Sequence, residues 1–254
     1  NLKILLCLHK PIKNKFIKKK MILLALESSA ESSSVAIWQN STILSYQIIE
    51  AKFGHTERII TQVHKALKQA KLDLNEIDFF VGGRGPGSFT GIRTCLATIT
   101  GFSIATGKEH YGVNGLSALG FSCYNKLNND GEYNDKIVIF AITDTRRGSY
   151  YCQEFNQEIK VQNNIEDLSL EHLQIKVNYL IKSGYIVKIY GPFAKRYDIF
   201  NGDRGNASKV QYFMEQLNAA HIANYAAWQL QNKGYCSPAT PLYLAPPIIK
   251  RQNK

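Results

Sequence analysis

Two stretches of this chain share one plan. In "MILLALESSAESSSVAIW" (21–38) an apolar run ends on Glu27, a serine-rich polar turn follows, and "VAIW" resumes. In "KIVIFAITDTRRGSYYCQEF" (136–155) an apolar run ends on Asp144, a polar turn follows, and "YYCQ" stands where "VAIW" stood. Runs that are apolar at successive positions predict strands covered on both faces. Self-similarity at so long a separation predicts two related α/β halves rather than a solenoid of short repeats. The turn-rich "NNDGEYND" (128–135) is the expected boundary between them.

The 254 residues, 44% of them apolar, suffice for one large domain or two modest ones. "TILSYQII" reads as an antiparallel partner of "VAIW". A helix is expected from about Thr56 to Ala70, with Ile59, Ile60, Val63, Ala66, Leu67 and Ala70 on one stripe. "FFVGG" is a second buried strand. It runs into "GGRGPGSFTGIR" (82–93), after which a helix is expected from about Ser88 to Thr106, with Ser88 near its N-cap. Gly91, Cys95, Thr98, Gly101 or Phe102, and Ala105 recur along that helix at three- to four-residue steps. Gly costs up to about 1 kcal/mol relative to Ala inside a helix, so two of them imply a close approach. Tight packing on the protein's own sheet and docking on a partner both satisfy that pattern. Further on, "IVKIYGP" reads as a strand, Phe213 to Gln231 as an alanine-rich helix, and "SPATPLYLAPP" as an extended tail held out of helices by proline.

A net charge of +11 suggests a nucleic-acid partner until the charges are located. Seven lysines and no acid lie in residues 1–20, which leaves 24 basic against 20 acidic groups elsewhere, a net of +4. The body is nearly balanced and argues only weakly for direct RNA binding. Residues 1–20 read as upstream translation or a disordered arm, because "ILLCL" is too short for a signal core and no apolar stretch reaches the roughly 20 residues of a membrane span. The five cysteines (Cys7, Cys95, Cys123, Cys152, Cys236) contain no C-x-x-C and suit reduced, buried thiols in a cytosolic protein. No H-x-x-x-H or H-x-x-E pair occurs among the six histidines, so no metal is assigned.

The glycine-rich loop has the make-up of an anion cradle at a helix N-terminus, with Arg84 and Arg93 close by. Glu27, Ser28, Gly85, Gly87 and Ser88 are the residues that would form a weak phosphate or nucleotide site. The groups that act on a phosphate are missing. No Gly-Lys-Ser/Thr follows the loop, and the third position of a G-x-G-x-x-G fingerprint is Thr90. The loop is therefore expected mainly to position a helix. A G-x-S-x-G nucleophile elbow is absent as well.

Two halves that each open on an acidic strand–turn–strand resemble the actin/sugar-kinase/heat-shock ATPase (ribonuclease H-like) superfold. Within it, "LLALESS", "HTERI", "VGGRGPGSFTGIRTCLATITGF", "GVNGLSALG", "DTRRGSYY" and "PLYL" resemble the TsaB (YeaZ) family, long labelled M22 glycoprotease-like; the motifs run from Met21 to about Leu244. The resemblance implies a cytoplasmic, non-catalytic dimerisation subunit of the bacterial tRNA threonylcarbamoyladenosine complex. It would act with a TsaD-like catalytic subunit and a TsaE-like ATPase, with a homodimer when alone, tRNA reached only through the complex, no cofactor and no membrane. It also implies halves at 21–127, carrying the loop and the dimerisation helices, and at 128–254, with the final helix packing back on the first half. The partner interface is expected at Ile59, Val63, Gly91, Cys95, Thr98 and Gly101. The catalytic relative's H-x-x-x-H falls on Gly115 and Leu119, which cannot ligate a metal. Glu27 stands where the superfold usually has Asp, and its extra methylene displaces a Mg²⁺-water contact. The alternatives are a nucleotide-binding kinase or ATPase of the same superfold and, last, an M22-type peptidase.

Overall fold

Each apolar run becomes the first and central strand of a five-stranded sheet. The computed structural model describes residues 21–30, 32–50, 55–131, 136–156, 164–192, 209–234 and 236–246; the basic arm 1–20 lies outside them. In the first half, β1 (Ile22–Glu27), β2 (Ser32–Gln39), β3 (Thr42–Glu50), β4 (Phe79–Gly83) and β5 (Glu109–Val113) form a sheet of order β3-β2-β1-β4-β5. In the second, β6 (Ile137–Asp144), β7 (Ser149–Phe155), β8 (Glu166–Ser169), β9 (Ile186–Gly191) and β10 (Val210–Met214) form the order β8-β7-β6-β9-β10. The two orders are one plan. In each, the second strand runs antiparallel to the first and the fourth parallel to it. The two related halves expected from the repeated stretches are thus present as two sheets of equal topology.

The helices explain why the strands are apolar throughout. In β1, Ile22, Leu24 and Leu26 join a core under α1 (His55–Ala70) and α2 (Phe89–Thr106). Leu23 and Ala25 point the other way into a core shared by both halves. In β6, Ile137, Ile139 and Ala141 enter that shared core, while Val138, Phe140 and Ile142 pack under α4 (Leu170–Lys182). The middle layer is α3 (Gly115–Asn129) beside α5 (Ala219–Lys233). Each crosses over: α3 packs on β6, β7 and β9, whereas α5 packs on β1, β2 and β4. Gly120 lets α3 approach closely, since a Cβ there would lie 2.6 Å from the Phe155 ring. Trp38 Nε1 donates to Asn224 Oδ1 at 3.0 Å, and Asn114 Nδ2 donates to Gln153 Oε1 at 3.3 Å, tying each helix layer to the opposite half.

Ser88 caps α2 as expected, its Oγ accepting from Gly91 N–H at 3.3 Å. The helix expected over Phe213–Gln231 is corrected: Phe213 belongs to strand β10, and α5 begins only at Ala219. The aromatic "VQYFM" fits a strand. Asn218 then starts the helix by accepting from the Ala220 and His221 amides.

On α1, neighbouring isoleucines have opposite fates: Ile59 is 1% exposed and Ile60 is 53% exposed. Ile59→Ala is expected to cost about 2–5 kcal/mol of unfolding free energy by leaving a cavity. Ile60→Ala stays within about 0.5 kcal/mol of the parent. Urea midpoints at constant m-value measure both.

Candidate functional site

The β1–β2 turn and the glycine-rich loop meet at the head of the first sheet. Glu27, the last residue of β1, turns its side chain back under its own turn. Its Oε1 accepts from Ser29 N–H and from Ser29 Oγ–H, both at 2.5 Å. Its Oε2 has no partner among the described residues. The carboxyl fills the space left by a missing side chain, because a Cβ on Gly83 would lie 1.6 Å from that oxygen. Glu27 is fully buried, and burial raises its pKa above the usual 4.5 against the Ser29 hydrogen bonds that lower it. Beneath it, the Cys95 thiol donates to Leu26 O at 3.3 Å, and burial together with the nearby Glu27 charge pushes the thiol well up.

The turn and the loop close on each other. Ser88 N–H donates to Ser29 O at 2.8 Å, and Ser28 Oγ–H donates to Gly91 O at 2.8 Å. A Cβ on Gly91 would lie 1.8 Å from Ser28 O, so α2 seats only because glycine stands there. Gly85, at φ +96°, presents its carbonyl to the Gly115 amide at 2.9 Å. Arg84 is fixed through its backbone, its amide donating to Val113 O at 2.9 Å and its carbonyl accepting from Leu242 N–H at 2.8 Å. The arginines do not converge on an anion. Arg93 lies over Phe89, 3.9 Å from the ring centroid, and its Nε–H donates to Tyr243 Oη at 3.0 Å. Arg84 Nε is buried without a partner among the described residues, and burial lowers that guanidinium's pKa.

At Glu27, Ser28, Gly85, Gly87 and Ser88, the residues named for a weak phosphate site, the chain's own groups meet one another. The turn carbonyls and the Ser88 amide bind one another, and a Cβ on Gly87 would already lie 2.5 Å from Ser29 O. The loop positions α2. The matching turn of the second half differs: Asp144 is exposed, and its Oδ1 accepts from Arg146 N–H at 2.6 Å.

Gly115 and Leu119 both lie in α3 and are buried. A Cβ on Gly115 would lie 2.4 Å from Leu217 Cδ2. Among the described residues no group of three His, Cys, Asp or Glu side chains stands close enough to hold a metal. Cys123, Cys152 and Cys236 are also buried and free. Burial raises all three thiols, Cys123 and Cys236 to about 12, which leaves them poor nucleophiles.

The residues named for a partner interface divide by burial. Ile59, Val63, Gly91 and Cys95 lie inside the first half's own core, under α1 and α2. Thr98 is half-buried and Gly101 exposed, with nothing within 4 Å of a Cβ built there. Around them Ala97, Ile104 and Ala105 are exposed, Ile104 by 80%. Two features went unread in the sequence: the Leu217 plug over Gly115, and the stack of Tyr243 on Phe89 at 4.9 Å. The "PLYL" motif was the only signal for the second.

Comparison with known proteins then decides the family. The model described as "TsaD: tRNA N6-adenosine threonylcarbamoyltransferase" matches residues 48–232. The chain belongs to this family. Its curated relatives include the tRNA threonylcarbamoyladenosine biosynthesis protein TsaB of Escherichia coli, 28% identical over 54% of this chain and 56% of that protein. The TsaB of Buchnera aphidicola subsp. Schizaphis graminum is 29% identical over 53% of this chain and 60% of its own length. The chain thus spans little more than half the length of these relatives. YeaZ from Pseudomonas aeruginosa shares the fold, with a TM-score of 0.65 at 19% identity, over 88% of this chain and 100% of that one. These likenesses bear out the resemblance to TsaB (YeaZ), and the chain has the two-sheet α/β fold of YeaZ from Pseudomonas aeruginosa.

Glu27 offers a pH test. Its folded pKa is raised, so between 4.5 and that higher value unfolding releases a proton, and stability falls as pH rises. Glu27→Gln, which mimics the neutral acid, is expected to flatten this slope and to be at least as stable as the parent at pH 7. Unfolding free energies measured from pH 4 to 8 check it; an unchanged slope assigns the pH dependence elsewhere.

Proposed function

We propose that this chain is a non-catalytic partner subunit in tRNA threonylcarbamoyladenosine biosynthesis. It works by pairing with a TsaD-like catalytic subunit, alongside a TsaE-like ATPase in the assembled complex, and reaches tRNA only through that complex. The cytoplasm, where tRNA is modified, is the matching compartment, and self-association through the same face is the corollary when the partner is absent. The observation that carries the non-catalytic reading is the packing at Gly115. Leu217 occupies the space that a ligating side chain would need, and the neighbouring loop is closed by the chain's own carbonyls and amides.

The partner face follows from what the core leaves over. With Ile59, Val63 and Cys95 turned inward, the outer side of α1 and α2 presents Ile60 and Ile104 among Ala97, Thr98, Gly101 and Ala105. Small residues on a helix let a second helix approach its backbone, and the two isoleucines supply apolar surface at the contact.

Gly101→Arg and Ile104→Glu are expected to abolish co-elution with the TsaD-like subunit, while the isolated variants keep the parent's melting temperature to within a few degrees. Size-exclusion chromatography of the mixture and thermal melts of each variant measure both. Co-elution at parental strength would reject this face. ATP turnover by the purified chain alone would favour a nucleotide-dependent enzyme instead.

A further inference from the structure

A cavity of about 200 Å³ opens in the second half, between the end of α3 and the β9–β10 edge of the sheet. Lys126, Leu127 and Asp130 line it from the helix side, Tyr190, Gln211 and Phe213 from the strands. At about 30 Å³ per water in the liquid, that is room for roughly six waters or a ligand of similar bulk.

Its polar groups are unevenly served. Tyr190 is 1% exposed, yet its Oη has no hydrogen-bond partner among the described residues. A buried hydroxyl without a partner is costly and calls for an explanation. The neighbours supply none: Phe213 stacks on the Tyr190 ring at 4.8 Å, and Leu127 is apolar. Cationic charge gathers at the same place. Lys126 Nζ stands 5.4 Å and Lys188 Nζ 5.7 Å from the Phe213 ring centroid, and Lys188 is 2% exposed. Two carboxylates lie nearby: Glu215, which stays ionised with its Oε1 2.9 Å from His221 Nε2, and Asp130 at the exposed rim.

We propose that this cavity binds a small organic monocarboxylate. The carboxylate is held by Lys126 Nζ and Tyr190 Oη, and the apolar body rests against Phe213 and Leu127. Asp130 at the rim repels a second negative charge, so the site prefers one anionic group to a phosphate dianion.

Isothermal titration of the full chain tests this, with sodium benzoate as the probe, benzamide as its neutral isostere and inorganic phosphate as the dianion, all at one ionic strength set with sodium chloride. Saturable benzoate binding is expected, with weaker binding of both controls. Tyr190→Phe and Lys126→Gln should each weaken benzoate about tenfold or more, the loss typical of a hydrogen bond to a charged group. Neither variant should impair folding: one removes only an unpartnered hydroxyl and the other changes an exposed side chain. Absence of saturable binding, equal binding of benzamide or phosphate, or unchanged affinity in Tyr190→Phe would overturn the proposal. In that last case Tyr190 Oη serves only an ordered water.

Discussion

The structure depends on covering β1 and β6 on both faces. A strand that is apolar at successive positions cannot leave either side to water, and the chain meets this twice with one set of elements. α1 and α2 cover the outer face of the first sheet and α4 the outer face of the second. The inner faces are covered by exchange, α5 on the first sheet and α3 on the second, which makes one core of residues from both halves. Neither half completes its hydrophobic interior alone. A large apolar contact of this kind opposes the relative motion expected of loosely joined domains. The space between the sheets is therefore a packed layer of helices, with Leu217 set against Gly115 within it.

That exchange fixes what the glycine-rich loop can do. Its carbonyl at Gly85 holds the first turn of α3, and its amide at Ser88 holds the β1–β2 turn. An anion at a helix N-terminus needs free amides and room for the ligand's oxygens. Here glycine provides room of another kind. At Gly83 the missing side chain admits the Glu27 carboxyl, and at Gly91 it admits the Ser28 carbonyl. Glycine lets the backbone come close either to a ligand or to the protein's own groups, and the loop spends its freedom on the second.

The halves, their central strands and the capped start of α2 were legible in the sequence, because each rests on a local pattern: an apolar run, a repeated acid-and-turn plan, a serine before a helix. The direction in which a stripe faces was not. Ile59, Val63 and Cys95 sit at helical spacing, and that spacing is the same whether the stripe meets the chain's own sheet or another molecule. Burial decides, and it depends on the sheet packed beneath. The outer face is carried by Ile60, which was read as part of the α1 stripe, and by Ile104, which lies off the α2 stripe. Phe213 was misread because the strand "VQYFM" runs almost directly into the helix, with Asn218 as the stop between them. The Leu217 plug and the Tyr243 stack join residues far apart in the chain, so no window of local sequence contains either.

The two copies of the acid-and-turn plan show how far duplication can diverge while the topology stays fixed. In the first, α2 packs over the turn, the acid goes inward, and desolvation favours its neutral form. In the second, the Asp144 carboxylate stays in water and caps its own turn at Arg146. What joins the two turns is the extended segment 236–246. It pairs with β5 where Gly112 N–H donates to Ser237 O at 2.8 Å, passes the loop at Arg84, and stacks Tyr243 on Phe89. It then reaches the second half, where Arg147 Nη2 donates to Pro246 O. The segment's prolines keep it extended, so it spans from one turn to the other without forming an element of its own. The head of each sheet is thereby tied to the other by backbone and aromatic contacts.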